Sequence, residues 1–331
     1  MIIVRTPFRV SFFGGGTDYP AWFHEQPGAV LATTIDKYCY ISVRPLPPFF
    51  EHTSRIVWSQ IEAVRDHAEI RHPAVREALA VLGIPGGVEL HHQGDLPART
   101  GIGSSSAFTV GVLHALYALQ GQMVSKARLA REAIHLEQQR LKENVGSQDQ
   151  VLAAFGGFNR VDFTADDAFQ VTPVALRPDR LAALERDLLL FFTGFSRNAS
   201  EVAKAQVDLT AYRRGELTRM YEMVEQAITI LDGTASLDEF GRLLDEGWRL
   251  KRSLTPIIST PRIDEIYAAA LAAGALGGKL LGAGAGGFMV LFVRSEHQAA
   301  VRARLSSLLE VPFAFERAGS QIVFYEPGRG R

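Results

Sequence analysis

A glycine- and serine-rich turn in front of a long apolar helix is the feature that most constrains this chain. The turn Leu96–Ser106 reads Leu-Pro-Ala-Arg-Thr-Gly-Ile-Gly-Ser-Ser-Ser, follows a β-prone run at Val88–His92, and leads into a helix predicted over Ser105–Leu119. A helix N-terminus presents unpaired backbone N–H groups and a partial positive charge. No Asp or Glu occurs between Ser104 and Ala130 to oppose that charge. The pattern favours a polyphosphate site, although a serine-capped structural joint has the same local signature.

Two common nucleotide-binding patterns do not fit this turn. The dinucleotide pattern G-x-G-x-x-G lacks its third glycine, because Ser106 stands there, and no acidic residue follows at the distance that would hold a ribose. The P-loop pattern G-x-x-x-x-G-K-[ST] does not occur in the chain. A nucleotide site here must therefore belong to another class.

Composition and charge narrow the class of protein. The chain has 331 residues, 47% of them hydrophobic, which is enough for two domains of ordinary size. Its net charge of −1 favours neither nucleic acid nor an acidic membrane as a partner. The single cysteine, Cys39, cannot form an internal disulfide. The N-terminus does not resemble a signal peptide and no apolar run is long enough to span a membrane, so we expect a soluble, cytoplasmic protein.

Strand and helix patterns mix without regular alternation, which predicts an α+β fold. We expect domains at residues 1–175 and 176–331, joined by a polar connection over Thr164–Arg186. In the first half of the chain we predict a strand at Ile2–Phe13, a hairpin of Ala29–Ile35 and Tyr38–Val43 turning at Asp36-Lys37, and a helix over Glu62–Leu82 that Pro73 kinks or divides. The other predictions that bear on the site are a helix over Lys126–Lys142, a helix starting near Asp149, and a strand at Phe288–Val293 directly after a glycine-rich loop.

Three glycine-bearing segments together resemble the motifs of the GHMP kinase superfamily. They are Thr6–Tyr19 (Thr-Pro-Phe-Arg-Val-Ser-Phe-Phe-Gly-Gly-Gly-Thr-Asp-Tyr), Pro97–Ala107, and Lys279–Phe288 (Lys-Leu-Leu-Gly-Ala-Gly-Ala-Gly-Gly-Phe). The resemblance covers nearly the whole chain and includes the order and spacing of the motifs. It implies a two-domain fold, with an N-terminal α/β domain like ribosomal protein S5 and a C-terminal ferredoxin-like α+β domain.

Within the superfamily, the chain most resembles the D-glycero-D-manno-heptose 7-phosphate kinases. The segments that carry this likeness are Arg9–Pro20 and Ser147–Asn159. The resemblance implies ATP-dependent phosphorylation of the anomeric hydroxyl of the sugar phosphate to the 1,7-bisphosphate, for nucleotide-activated heptose and surface polysaccharide. Galactokinases carry Glu-His where this chain has Gly15-Gly16, which leaves room for a bulkier sugar. L-fucokinase-like enzymes, other sugar 1-kinases and a non-catalytic sugar or nucleotide sensor stay open as alternatives, as do a monomer and a homodimer.

The resemblance also implies roles for individual residues. Asp149 would accept or orient the hydroxyl proton, with Arg9 beside it, and Ser105 with Glu137 would hold Mg²⁺. Ser104 and Ser106 would contact phosphate and cap the helix. ATP would be bound by Pro97, Thr100, Gly101, Ile102, Gly103, Ser104, Ser105 and Ser106, and the sugar phosphate by Gly14, Gly15, Gly16, Thr17, Asp18, Arg197 and Gly284. Arg197 is the first candidate for the 7-phosphate, ahead of Lys251 and Lys279.

Residue pattern alone leaves three of these assignments open. Glu137 could equally lie on a solvated helix face near Arg140 or Arg131, and Asp149 could simply favour a helix N-terminus. Arg197 could be part of a surface ion pair.

Overall fold

The computed structural model describes residues 1–194 and 199–327, which form two β-sheets with helices packed against them. In the first half of the chain the elements are β1 (Ile2–Phe13), α1 (Pro20–Phe23), β2 (Gly28–Pro45), β3 (Ser54–Val57), β4 (Ile61–Val64), α2 (Pro73–Val81), β5 (Val88–Gly94), α3 (Ser104–Leu119), α4 (Lys126–His135), α5 (Gln148–Phe155), β6 (Phe158–Phe163) and β7 (Phe169–Pro173).

The second half contains most of the longer helices. Its elements are α6 (Pro178–Arg186), β8 (Leu188–Phe192), α7 (Ala199–Leu209), α8 (Arg214–Asp232), α9 (Asp238–Leu254), α10 (Pro261–Ala272), β9 (Gly277–Leu280), β10 (Phe288–Phe292), α11 (Ser295–Arg304), β11 (Leu309–Glu310), β12 (Phe315–Glu316) and β13 (Gln321–Tyr325). Among the described residues, no helix has both the length and the apolar character needed to cross a membrane.

The first sheet is built around the long strand β2. Its strand order is β13-β1-β2-β5-β3-β4, and β6 and β12 pair with other stretches of β2. β2 is buried over its first eight residues, where it pairs with both β1 and β6. The final strands β12 and β13 thus join the sheet formed by the first half of the chain, and the domain boundary at 175/176 stays a prediction.

The predicted hairpin at Asp36-Lys37 is wrong, because β2 continues through it. The pairing with β1 shifts at this point, from Phe8 opposite Ile35 to Pro7 opposite Tyr38, so Asp36 and Lys37 form a bulge. Residue 314 stabilises the bulge: the Ala314 N–H donates to Asp36 Oδ1 at 2.9 Å, and the Asp36 N–H donates to the Ala314 carbonyl.

The helix predicted over Glu62–Leu82 forms only from Pro73 onward. Glu62 lies at the start of the short strand β4, and its carboxylate accepts the backbone N–H groups of Arg71 (2.6 Å) and His72 (3.2 Å). Pro73 occupies the first helical position, where its fixed φ and missing N–H are tolerated. The predicted connection over Thr164–Arg186 likewise contains regular structure, namely the strand β7 and the whole of helix α6.

Helix α3 lies against the first sheet and is apolar on nearly every face because α2, α4 and α5 cover the rest of it. It approaches the sheet closely at Gly111, where an added Cβ would lie 3.0 Å from Thr6 Oγ1 and 3.1 Å from Ile41 Cγ1. This contact fixes the position of the helix start relative to β1.

The second sheet has the order β11-β8-β10-β9, and α9 packs against β9 and β10. Phe240 of α9 joins the two halves of the molecule, because its ring contacts Phe12 and Phe13 of β1 with centroid distances of 5.5 and 5.1 Å. The end of β1, a strand of the first sheet, therefore packs against α9. The predicted site residues lie around this end of the strand.

Candidate active site

Arg9 and Asp149 form a buried ion pair at the centre of the site. Arg9 Nε donates to Asp149 Oδ1 at 2.7 Å and Arg9 Nη2 donates to Oδ2 at 2.8 Å, while Nη1 donates to the Gly101 carbonyl at 2.5 Å. The Arg9 side chain is 6% exposed and that of Asp149 is 23% exposed. The planar guanidinium fixes the carboxylate plane and compensates its charge, so Asp149 is held in one orientation with an edge accessible to solvent.

The glycine-rich turn lies directly against this pair. Gly103 precedes α3 in a left-handed conformation, with φ of +73°, and an added Cβ would lie 3.2 Å from Arg9 Cγ and 3.3 Å from Asp149 Oδ2. The turn is internally braced, because Thr100 Oγ1 donates to the Pro97 carbonyl at 2.7 Å and Ser104 Oγ accepts the Arg99 N–H at 3.0 Å. The first turn of α3 contains no acidic residue that would oppose an anion at the free N–H groups of the helix start.

The second and third motifs meet backbone to backbone. An added Cβ on Gly282 would lie 2.3 Å from Gly101 Cα, and one on Gly101 would lie 2.3 Å from the Leu281 carbonyl oxygen. Beside them the Phe288 N–H donates to the Thr100 carbonyl at 3.0 Å. Side chains at either glycine would separate the two loops, which is the physical reason for the glycines there.

Gly284, predicted to bind substrate, packs against the protein backbone instead of facing an open space. Its φ is +136°, and an added Cβ would lie 2.7 Å from the Ile258 carbonyl oxygen. The neighbouring Ala285 N–H donates to that same carbonyl at 2.8 Å. What the structure shows for Gly284 is therefore the packing of the third motif, and a substrate contact stays a prediction.

Glu137 is buried beside the first turn of α3 rather than on a solvated helix face. The predicted helix over Lys126–Lys142 ends at His135, and Glu137 follows on a π-helical turn, Leu136–Arg140. Such turns occur frequently at functional sites. Glu137 Oε2 accepts hydrogen bonds from Ser106 Oγ at 2.8 Å and from Gln150 Nε2. Burial raises the pKa of Glu137 to about 7.

The structure shows which serine hydroxyl contacts Glu137. Ser106, predicted as a helix cap, makes no capping bond and instead donates to Glu137. Ser105, predicted to share a metal with Glu137, is exposed, and the hydrogen bonds of the described residues include none between its hydroxyl and Glu137. Because successive helical residues point about 100° apart, only one of the two hydroxyls can face Glu137 directly.

Two buried side-chain oxygens near the first turn of α3 have the chemistry of ligands for a hard cation. In the part of the chain that the structure describes, Glu137 Oε1 and Gln150 Oε1 are buried without a hydrogen-bond partner. Oxygen donors of this kind suit Mg²⁺, which keeps several waters and phosphate oxygens in its shell. The described residues hold no group of three or more His, Cys, Asp or Glu arranged around a metal.

Asp18 lies at the opposite end of the site, in the loop after β1. Its carboxylate accepts the Gly16 N–H at 2.9 Å through Oδ1 and Gln148 Nε2 at 2.9 Å through Oδ2. Burial, reinforced by the charge of Asp149, raises the pKa of Asp18. Gly146 has no room for a side chain, because its Cβ would lie 2.0 Å from Asp18 Oδ2, so the loop before α5 and the loop after β1 are tightly fitted here.

Gly15 leaves an open niche beside Ser11 and Gln148, and Gln148 Nε2 also donates to Asp18. An added Cβ would have only Gln148 Nε2 at 3.8 Å and Ser11 Oγ at 3.9 Å within contact distance. Ser11 Oγ and Gln148 Oε1 are both buried and have no hydrogen-bond partner among the described residues. The niche is therefore lined by polar atoms that a ligand hydroxyl could satisfy. Nothing in the sequence pattern distinguished Ser11 or Gln148 from structural residues.

Gly14 and Thr17 shape this loop. An added Cβ on Gly14 would lie 1.9 Å from the Ala29 carbonyl oxygen. Thr17 is fully buried, and its hydroxyl donates to the carbonyls of Gly14 (2.8 Å) and Ala29 (2.9 Å). The structure thus shows both residues packing the loop onto β2, and their predicted contact with the sugar is untested.

Gly16 borders a small pocket whose lining includes Tyr19, Gln206, Thr210, Arg213 and Leu217. Arg213 is half-buried there and contacts Glu216 Oε1 at 3.1 Å. Arg197, the first candidate for binding the sugar's phosphate, lies outside the described residues. Lys251 and Lys279 are described, and both are buried close to Arg9 and Asp18.

The fold and the site together define a phosphoryl-transfer enzyme: a glycine-rich turn at a helix N-terminus touches a carboxylate that is fixed by arginine, beside an open polar niche. Two family models match the chain, the GHMP kinase N-terminal domain over residues 64–157 and the GHMP kinase C-terminal domain over residues 230–311. The chain belongs to the GHMP kinase family and is an ATP-dependent sugar kinase. The predicted two-domain α+β fold of that family is confirmed.

Three known proteins illustrate the relationship. The D-glycero-alpha-D-manno-heptose 7-phosphate kinase of Campylobacter jejuni is 27% identical over 88% of this chain and 89% of its own length. The bifunctional fucokinase/GDP-fucose pyrophosphorylase of Arabidopsis thaliana is 28% identical over 89% of this chain but 30% of its own length. The crystal structure of a D-glycero-D-manno-heptose 1-phosphate kinase from Bacteroides thetaiotaomicron superposes with a TM-score of 0.72 and 23% identity, covering 97% of this chain and 98% of that one.

Proposed function

We propose that this chain phosphorylates the anomeric hydroxyl of D-glycero-D-manno-heptose 7-phosphate with ATP, giving the 1,7-bisphosphate and ADP. The observation that carries the proposal is the contact of the Arg9–Asp149 pair with Gly103 on one side and its position beside the open niche at Gly15 on the other. This arrangement would bring a nucleotide phosphate and a bulky sugar to the same carboxylate. The similarity to the heptose 7-phosphate kinase of Campylobacter jejuni supports the choice of sugar.

In this reaction the anomeric oxygen attacks the terminal phosphorus of ATP while the bond from that phosphorus to the bridging oxygen of ADP breaks. The hydroxyl proton passes to Asp149, whose carboxylate Arg9 holds in place. Backbone N–H groups of the first turn of α3 would stabilise the phosphate oxygens. Positioning and charge stabilisation are the main requirements of phosphoryl transfer, and each has a group to supply it.

Mg²⁺ would be held at Glu137, with the unpartnered Oε1 as the protein oxygen best placed to receive it. A bound Mg²⁺ neutralises phosphate charge and orients the phosphates. The Ser105 hydroxyl, exposed at the same helix start, stays the predicted second protein ligand, and Ser106 with Gln150 would hold the carboxylate in position.

The sugar would lie against the loop after β1. Asp18 is the proposed acceptor for its hydroxyls, and Ser11 with Gln148 offers further polar atoms in the Gly15 niche. Among the described residues, Arg213 in the pocket beside Gly16 is suitably charged and placed for the sugar's own phosphate. The predicted role of Arg197 in the same task stays open.

A fucokinase-like activity is the second candidate, supported by the similarity to the Arabidopsis bifunctional enzyme over 89% of this chain. The open space at Gly15 and Gly16 is compatible with either sugar, because it excludes neither by a side chain. A non-catalytic sensor is less well supported, since Arg9, Asp149 and Glu137 are all present and the first two are paired.

A transfer assay with Mg·ATP over a panel of acceptors tests the proposal. The panel contains D-glycero-D-manno-heptose 7-phosphate, the unphosphorylated heptose, mannose and L-fucose, and ADP formation is measured with product analysis by mass. We expect the highest kcat/KM with the heptose 7-phosphate. A higher value with fucose would favour the second candidate, and nucleotide binding without transfer to any sugar would favour a sensor.

The pocket beside Gly16 is tested separately with Arg213→Ala. This change should raise KM for the phosphorylated heptose at least about tenfold more than for the unphosphorylated heptose, because a charge-assisted bond is lost only with the former. Arg214→Ala is the matched control, since Arg214 is adjacent but pairs with Glu25 at the surface. Equal effects on both substrates would remove Arg213 from the phosphate site.

A further inference from the structure

Two of the six lysines of this chain are buried, and both lie at the active site. Lys251 is in the last turn of α9 and Lys279 is in β9, and each is 6% exposed. Both residues come from the second half of the molecule, whereas Arg9, Asp18 and Asp149 come from the first. Lysine is rarely buried to this degree without a counter-charge, because desolvation of the ammonium is costly.

Neither lysine has a carboxylate partner in the described part of the chain. Lys251 Nζ donates to the Gly282 carbonyl, and Lys279 Nζ donates to the Phe12 carbonyl at 3.0 Å. No ion pair within 4.0 Å joins either of them to a described Asp or Glu. An ammonium has three N–H donors, so each group retains hydrogen-bonding capacity that the protein does not use.

The charges around the two lysines indicate that this buried region lacks a negatively charged group. Burial and the neighbouring charge of Arg9 lower the pKa of Lys251 to about 8, against the opposing effect of Asp18 and Asp149. Burial and the charge of Lys251 lower the pKa of Lys279 further. Three cationic side chains thus share a buried region with two carboxylates, one of which is already occupied by Arg9. A ligand that brings negative charge would stabilise this region.

The hydrogen bond of Lys251 indicates which negative group this is. Its acceptor is the carbonyl of Gly282, and Gly282 packs on Gly101 of the phosphate-binding turn. That turn, Leu96–Phe108, contains no lysine of its own, whereas P-loop enzymes place a lysine on the outer phosphates of the nucleotide. Lys251 therefore lies where the third motif meets the phosphate-binding turn, close enough to Asp18 and Asp149 for their charges to act on it.

We infer that Lys251 binds the terminal phosphate of the nucleoside triphosphate. The C-terminal half of the chain thereby supplies the cation that the phosphate turn lacks. The inference rests on the use of ATP but not on the identity of the sugar, so it survives a different result from the acceptor panel.

Nucleotide binding measured by calorimetry tests the inference without any sugar present. Lys251→Met should weaken binding of Mg·ATP at least about tenfold and change binding of Mg·ADP less than about twofold, because only ATP carries the terminal phosphate. Lys251→Arg, which keeps the charge, should restore most of the ATP affinity. Lys126→Met is the matched control, because Lys126 also donates to a backbone carbonyl, that of Phe155, but is exposed; it should change neither affinity.

Unchanged ATP affinity in Lys251→Met, or equal losses for ATP and ADP, would overturn the inference, as would a loss confined to the sugar phosphate. Should that variant fail to fold, the wild-type protein provides the second test. The ratio of ATP affinity to ADP affinity should fall between pH 7 and pH 9 as Lys251 loses its proton. The other charged or titratable groups that face Lys251 are Arg9, Asp18, Asp149 and Lys279. A constant ratio over that range would also overturn it.

Discussion

Asp149 is held by Arg9 through two parallel hydrogen bonds of 2.7 and 2.8 Å, and the same guanidinium donates to the Gly101 carbonyl of the phosphate-binding turn. One arginine therefore connects the carboxylate that is proposed to take the proton with the loop that is proposed to hold the phosphates. Distances between reacting groups depend on this connection, and phosphoryl transfer is sensitive to errors in position.

Replacing Asp149 with Asn removes the proton acceptor while keeping the shape of the side chain. We expect kcat to fall at least about a hundredfold and the dissociation constant of Mg·ATP to stay within about twofold. Steady-state kinetics and calorimetry measure the two quantities. The surface variant Asp179→Asn, whose carboxylate is 75% exposed, should behave like the wild type. Near-normal kcat in Asp149→Asn would show that Asp149 is not the general base.

The roles of Ser106 and Ser105 can be distinguished by the magnesium dependence of the two alanine variants. Ser106→Ala removes the hydroxyl that donates to Glu137 and should raise the Mg²⁺ concentration for half-maximal activity about tenfold, because the carboxylate loses its orientation. Ser105→Ala should have a comparable effect only if its exposed hydroxyl is itself a ligand. Magnesium titration of both variants at saturating ATP decides between these roles, and no change in either would remove both serines from the metal site.

Gly15→Ala tests the polar niche with one methyl group. The position has no positive φ and no contact closer than 3.8 Å, so the variant should fold normally. The methyl group would occupy the space that we propose for the sugar. KM for the sugar should therefore rise at least about fivefold, with KM for ATP unchanged. Gly215→Ala, at another position with nothing within 4 Å, is the control. An unchanged KM for the sugar would place the sugar elsewhere.

Gly282→Ala tests the contact between the second and third motifs. The new methyl group would collide with Gly101 Cα, at 2.3 Å, and should displace the phosphate turn, weakening ATP binding at least about tenfold. Part of any loss of ATP affinity would come from backbone strain, because alanine disfavours the φ of +72° at position 282. Gly83→Ala is the control for this strain, since Gly83 has a φ of +58° with open space around it. Similar ATP affinities in the two variants would show that the contact is unimportant.

Several features of this fold follow from local sequence. The strand at Ile2–Phe13 has the predicted limits, because a run of apolar and β-branched residues that ends at Gly14 defines it without help from other elements. The helix after the glycine-rich turn is also confirmed, starting at Ser104. Wrong predictions arose where a distant group decides the local structure. Residue 314 stabilises the bulge that replaces the hairpin, and the Glu62 carboxylate binds the backbone just before α2.

The sequence by itself determined the family, through three motifs in fixed order, and it predicted Arg9, Asp149 and Gly101–Ser106 as elements of the candidate site. Tertiary structure decided which side chains face one another: Ser106 rather than Ser105 contacts Glu137, Ser11 and Gln148 line the niche at Gly15, and Lys251 reaches the third motif. The physical reason is that a backbone pattern depends on neighbouring residues. Burial and the charge balance of a side chain, in contrast, depend on packing between segments that are distant in the chain.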